Sequence, residues 1–379
     1  MRSRAQQLLD LGQSVWLDYI HRRELRSGVF AAQVREQGVV GVTSNPTIFQ
    51  QAIGQGTDYD DAIREGLARR LAGVPLYESL AIEDVRTACD ALRPVFERSG
   101  GLDGRVSIEV NPRLADDAAG TVAEARRLHA AVDRPNVMIK VPATAAGLPA
   151  ARDLLAEGIC VNVTLIFSLA RYEQVMEAYL AGLESRAAAG QPLAPIVSVA
   201  SFFVSRVDTK VDAAIEQRLA ALPADSVERV ELADLSGRAA VANARLAYAR
   251  FREVFDAPRF RALAAQGARV QRPLWASTST KNPAYSDTLY VDELIGPDTV
   301  NTLPPKTLAA YNDHGVLDPR LLRGVDEARA LFRRLPELGV PVDELIGQLE
   351  AEGVAAFVKS FDGLLATLEE KRSRMAGGS

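Results

Sequence analysis

Short apolar runs alternate along the chain with longer stretches whose apolar residues recur every three or four positions. The short runs read as buried strands and the longer stretches as amphipathic helices. Strands are expected over residues 14–20, 39–46, 105–112, 136–144, 159–167, 195–203, 273–279 and 299–303. Helices are expected over 3–11, 24–37, 59–72, 77–98, 121–132, 148–158 and 169–189. A further helical stretch over 207–266 should break at Pro223, Gly237 and Pro258. In the 77–98 segment Ile82, Val85, Cys89, Leu92 and Phe96 fall on one face. Gly38 closes the helix before the second strand. Pro142 ends the fourth strand, because it has no amide proton for a sheet ladder.

Parallel strands require crossovers, and the intervening helices cover both edges of a would-be sheet. The alternation therefore predicts an α/β fold: a (β/α)8 TIM barrel with additional helices, one domain over residues 1–379. An open doubly wound sheet would carry a glycine-rich fingerprint after its first strand, and the chain has none. Residues 343–371 predict a long C-terminal helix with Leu345, Leu349, Phe357, Phe361, Leu364 and Leu368 on one side. That stripe is not a strict heptad, so it should pack on the barrel instead of forming a coiled coil. Residues 372–379 are expected to fray.

The composition narrows the function classes. A net charge of -5 gives no basic footprint for nucleic acid and no attraction to anionic membrane. No signal peptide and no apolar run long enough to span a bilayer is visible, so a cytoplasmic protein is expected. Cys89 and Cys160 are too few for a disulfide framework and read as packing. His21, His129 and His314 are dispersed and show no metal-ligand spacing.

One lysine, Lys140, interrupts the apolar run Val137, Met138, Ile139 and Val141. The ordinary reading is a strand-end lysine reaching solvent along its stem. The alternative is chemical: a neutral amine is a nucleophile toward carbonyl carbon and forms a Schiff base. Barrel enzymes work at the C-terminal ends of their strands. Asp18, Asn45, Glu109, Lys140, Asn162, Thr164, Ser201 and Ser277 all lie at or just inside such ends. Singly, each has a bland explanation: Asn45 as a turn former before Pro46, Thr164 by strand propensity, Ser201 and Ser277 as caps. Together they support imine chemistry. Glu109, with Thr164 positioning a water, suits the dehydration of a carbinolamine, and Asp18 remains as a base for a substrate hydroxyl. Asn45 and Asn162 can hydrogen-bond a polyol without adding charge.

Five motifs carry a resemblance. Gly41-Val-Thr-Ser-Asn-Pro-Thr-Ile-Phe49, Ile108-Glu-Val110, Met138-Ile-Lys-Val-Pro142, Val161-Asn-Val-Thr-Leu-Ile-Phe-Ser168 and Ser201-Phe-Phe-Val-Ser-Arg-Val-Asp208 together resemble transaldolases. The chain is especially similar to the longer members, which carry Trp275-Ala-Ser-Thr-Ser-Thr-Lys-Asn-Pro283 and Tyr285-Ser-Asp-Thr-Leu-Tyr290.

The resemblance implies a class I mechanism with no metal and no cofactor, in which Lys140 forms the Schiff base and Asp18 is the acid/base of carbon–carbon cleavage. It implies that Glu109 and Thr164 hold the catalytic water, and that Asn45, Asn162 and Ser201 contact the dihydroxyacetone portion. The reaction implied moves that unit from sedoheptulose 7-phosphate to glyceraldehyde 3-phosphate. Arg206 stands where the family keeps a phosphate-binding arginine. Shorter members have a second arginine after the seventh strand; here Lys281, with Ser277 or Ser279, is the candidate in its place. The partners implied are small sugar phosphates, for a monomer or homodimer. The rivals are a Schiff-base aldolase of the fructose-6-phosphate type and a non-catalytic sugar-phosphate-binding barrel.

Overall fold

The computed structural model describes residues 2–376. Eight parallel strands close into a barrel, each hydrogen-bonded to the next in sequence and the last to the first. They are β1 Gln13–Asp18, β2 Val39–Thr43, β3 Arg105–Glu109, β4 Val137–Pro142, β5 Val161–Ile166, β6 Ser198–Phe203, β7 Arg272–Ala276 and β8 Thr299–Leu303. The strands are buried along their length, as helix-covered parallel strands must be. The exceptions are Asp18 and Glu109, the last residues of β1 and β3, which are partly exposed. Two expected site carboxylates thus mark the open end of the barrel.

The other end is closed by buried polar side chains. Arg272 donates to Ser14 at 2.8 Å and to Asp103 at 3.0 Å, and Ser14 donates to Asp103 at 2.9 Å. Above this layer Trp16 fills the space beside β2. A side chain at Gly41 would meet the Trp16 ring at 2.5 Å, so glycine is required there.

Three expectations are corrected. The helix expected over 24–37 is two, Arg22–Ser27 and Val29–Glu36, because Gly28 takes a left-handed φ of 85° between them. The polar turn after β2 opens a helix, Pro46–Gly54. Asn45 caps it by accepting from the Ile48 amide at 3.0 Å, and Pro46 is pre-set for the first helical position. Residues 372–376 continue the C-terminal helix instead of fraying; residues 377–379 lie outside the described residues. The breaks expected within 207–266 occur, giving helices Ser205–Ala221, Val227–Asp234, Ala239–Phe255 and Pro258–Ala264. Helices Pro305–His314 and Val325–Glu337, not anticipated from the periodicity, follow the last strand.

The C-terminal helix, Val342–Ala376, lies across the C-terminal mouth of the barrel. Leu349, Phe357, Phe361, Leu364 and Leu368 of the expected stripe are buried, and Leu345 is partly so. Ion pairs tie the helix to three surrounding helices and to the turn after β3: Glu350 to Arg171 at 2.8 Å, Asp362 to Arg113 at 2.6 Å, Lys371 to Asp60 at 3.1 Å, and Glu352 to Lys210. Among the described residues no helix is long and apolar enough to cross a membrane.

Candidate active site

The site is set by sheet register. Glu109 and Lys140 are register partners on β3 and β4, Lys140 and Asn162 on β4 and β5, and Asp18 and Thr43 on β1 and β2. Lys140 is 5% exposed and its stem turns into the barrel. Its Nζ lies 3.3 Å from Glu109 Oε2 and donates to the Ser44 carbonyl at 3.3 Å. The Phe357 ring, from the C-terminal helix, covers the amine with its centroid 5.5 Å away.

A cavity of about 280 Å³ opens above the amine. Asp18, Asn45, Lys140, Thr164, Ser201, Arg206, Ser277 and Lys281 all line it, so most of the expected residues meet in one place. Two expected residues stand behind its wall. Glu109 approaches the amine from the outer side, in a narrow cleft with Tyr77 and Phe361. Asn162 is fully buried, donating to Ser107 Oγ at 3.1 Å and accepting from Ser201 at 2.7 Å. Thr164 Oγ1 is buried and makes no hydrogen bond to protein among the described residues. β5 is irregular at this point. Leu165 takes a left-handed φ of 63°, and the pairing with β6 slips between Val163 and Ile166. A β-bulge of this kind re-aims the side chain beside it, here Thr164.

Burial raises the carboxyl groups of both Asp18 and Glu109 above the ordinary carboxylate range. The neighbouring Lys140 opposes the rise in each case. For Asp18 the Thr43 hydroxyl opposes it too, donating at 2.8 Å, and Thr43 in turn shares a 2.7 Å hydrogen bond with Thr302. Carboxyl groups on both flanks of an amine can take up and return protons, as imine formation and carbon–carbon cleavage require.

The far end of the cavity is cationic. Arg206, half-buried on the first turn of helix Ser205–Ala221, has no carboxylate partner among the described residues. Lys281 is exposed as a residue but lines the cavity and donates to Ser279 Oγ at 2.6 Å; partial desolvation there, followed by the charge of Arg206, lowers its pKa. Two cations left side by side without counter-ions form a receptor for an anion.

Thr43, Ser44, Thr302, Ser107 and Phe357 were not anticipated. Thr43 and Ser44 sit inside a quoted motif, but neither their charge nor their periodicity marks them. In the sequence Phe357 reads only as a member of the packing stripe. No signal in the chain separates a ring over a lysine from a ring over a leucine.

A parallel barrel with a buried lysine between two carboxylates, facing a cationic pocket, defines a class of enzymes that work on anionic carbonyl compounds through an imine. The chain belongs to the transaldolase/fructose-6-phosphate aldolase family, whose model matches residues 15–368. It is 54% identical over 364 residues to transaldolase 1 of Streptomyces coelicolor, covering 96% of this chain and 93% of that one. It is 53% identical over 366 residues to the transaldolase of Thermobifida fusca, covering 96% and 97%. With transaldolase 2 of a Nostoc species the identity is 47% over 367 residues, 96% of each chain. The family resemblance read from the five motifs is borne out.

Proposed function

We propose that this chain is a transaldolase that moves a dihydroxyacetone unit from sedoheptulose 7-phosphate to glyceraldehyde 3-phosphate. The observation that carries the reading is the placement of Lys140, buried at the barrel mouth between Glu109 and the cavity that holds Asp18. Lys140 Nζ gives a proton to Glu109 and attacks the ketone carbon, forming a carbinolamine. Glu109, with a water held by the Thr164 hydroxyl, returns a proton to the departing hydroxyl, and water leaves. Asp18 takes the proton from the substrate hydroxyl next to the scissile bond. The bond's electrons flow into the iminium, and erythrose 4-phosphate departs. The enamine left on Lys140 then attacks the acceptor aldehyde, Asp18 returns its proton, and water releases fructose 6-phosphate. Asn45 and Ser201 hold the donor's hydroxyl groups. Asn162 steadies Ser201, while Arg206 and Lys281 hold the phosphate.

The reading makes residues 1–379 one functional unit, a cytoplasmic monomer or homodimer acting on sugar phosphates. It is tested by incubation with fructose 6-phosphate, borohydride reduction and peptide mapping, which should find one adduct, on Lys140. An adduct elsewhere, or none, refutes it. The family description also names fructose-6-phosphate aldolase, so turnover is measured with and without an aldose phosphate acceptor. Product formation that ignores the acceptor would identify an aldolase instead.

A further inference from the structure

Lys281 sits on an arch of chain whose two feet both stand on the helix that carries Arg206. The first foot is Ser277, just after β7, with a left-handed φ of 56°. Its carbonyl accepts from the Ser205 amide at 3.1 Å, and the two serine hydroxyls lie 2.9 Å apart. The second foot is a pair of tyrosines. Tyr285 donates to Asp212 Oδ2 at 2.8 Å and Tyr290 donates to Asp208 Oδ2 at 2.8 Å. Asp208 and Asp212 are one turn apart on helix Ser205–Ala221, so both face the same way. Their other oxygens accept from the amides of Ala240, at 2.6 Å, and Gly237, at 2.8 Å. A side chain at Gly237 would meet the Tyr285 ring at 2.5 Å, so the junction admits only glycine there.

We propose that Tyr285, Tyr290, Asp208 and Asp212 are positioning residues that set the separation of Lys281 from Arg206, and through it the preference for phosphorylated aldoses. The proposal rests on the phosphate role given to the two cations above. Between the two feet Lys281 itself is exposed, and its one hydrogen bond to a side chain among the described residues is with Ser279. No counter-ion among the described residues holds either cation, so the frame must. Apolar side chains would join the helix to the arch with less desolvation than two buried acids. Paired hydroxyls and carboxylates add something apolar packing does not, which is a fixed distance and direction.

The test uses Tyr285→Phe and Tyr290→Phe, which keep the rings and remove one hydroxyl each. Losing one such bond should raise KM for glyceraldehyde 3-phosphate, and weaken inorganic phosphate binding measured by calorimetry, by about five- to tenfold. With unphosphorylated glyceraldehyde, kcat/KM should stay within about twofold. In a Lys281→Ala background, Tyr285→Phe should add nothing further to the phosphate effect. Equal losses on both acceptors, no change on either, or additivity with Lys281→Ala would overturn the proposal. Should Tyr290→Phe fail to fold, Tyr285→Phe, at a half-exposed position, carries the same test. Phosphate binding is read without turnover. An inactive chain with the expected binding changes would refute the transferase reading and support the clamp, whereas full transferase activity with unchanged phosphate binding would do the reverse.

Discussion

The hydroxyl of Thr43 donates a 2.8 Å hydrogen bond to Asp18 Oδ1, and the two residues are register partners on adjacent strands. Burial raises the Asp18 carboxyl, and this hydrogen bond lowers it. Thr43→Val keeps the shape and removes the donor, so Asp18 should hold its proton to higher pH. If Asp18 works as the base, the acid limb of the kcat/KM profile should move up by about half to one pH unit. An unmoved limb would assign that titration to another group.

Glu109→Gln leaves Lys140 without its 3.3 Å acceptor of protons. Imine formation, followed by rapid quenching into borohydride, should slow by about 10²–10³. The circular dichroism spectrum should be unchanged. Normal trapping kinetics would remove Glu109 from the dehydration step.

Asp208 bears on stability. Burial pushes its carboxyl up to about 6, from an unfolded value of 3.8. Between those values the folded chain binds more protons than the unfolded one, so this group's contribution to stability falls as pH rises. The loss amounts to about 3 kcal/mol by pH 7 as an order of magnitude. Urea midpoints measured from pH 4 to 7 should therefore fall less, or rise more, in Asp208→Asn than in the parent chain. Identical pH slopes would show that Asp208 titrates in the ordinary range.

Asn45 has two duties that substitutions can separate. It caps helix Pro46–Gly54 and lines the cavity. Asn45→Ala should lose about 1 kcal/mol of stability and raise KM for the donor sugar. Asn45→Ser should recover the stability, because serine caps equally well, without recovering the KM. Full recovery of both would confine Asn45 to capping.

Phe357 covers the amine from the C-terminal helix. Phe357→Ala should lower stability by about 3–5 kcal/mol, as other buried phenylalanine truncations do. It should also reduce kcat/KM by more than a truncation of Leu368, which is buried on the same helix but is not among the residues lining the cavity. Equal effects on catalysis would make the ring mere packing.

The barrel was legible because its signal is local and repeated. Buried parallel strands are short apolar runs, and the intervening helices show their own period, so the alternation survives errors of a few residues at each end. Local chemistry misled where a single residue decided the outcome. Gly28 splits a continuous helical period through its backbone angle, and the cap at Asn45 turns an apparent loop into a helix. Tyr19 and Ile20 continue the apolar run of β1 but lie beyond its last ladder partner, Asp18.

The sequence by itself determined the candidates for the chemistry: a lysine in an oily strand, acids at strand ends, and motifs in a family's order. These are covalent facts of the chain and need no folding to be read. Only the tertiary structure decided who touches whom. Glu109 reaches Lys140 from behind the cavity wall, Asn162 is tied up between two serines, Thr43 tunes Asp18, and a phenylalanine from the last helix roofs the amine. The physical reason is that register and packing are set by contacts between residues far apart in the chain. A side chain's neighbours, and hence its protonation and reach, exist only once the barrel has closed.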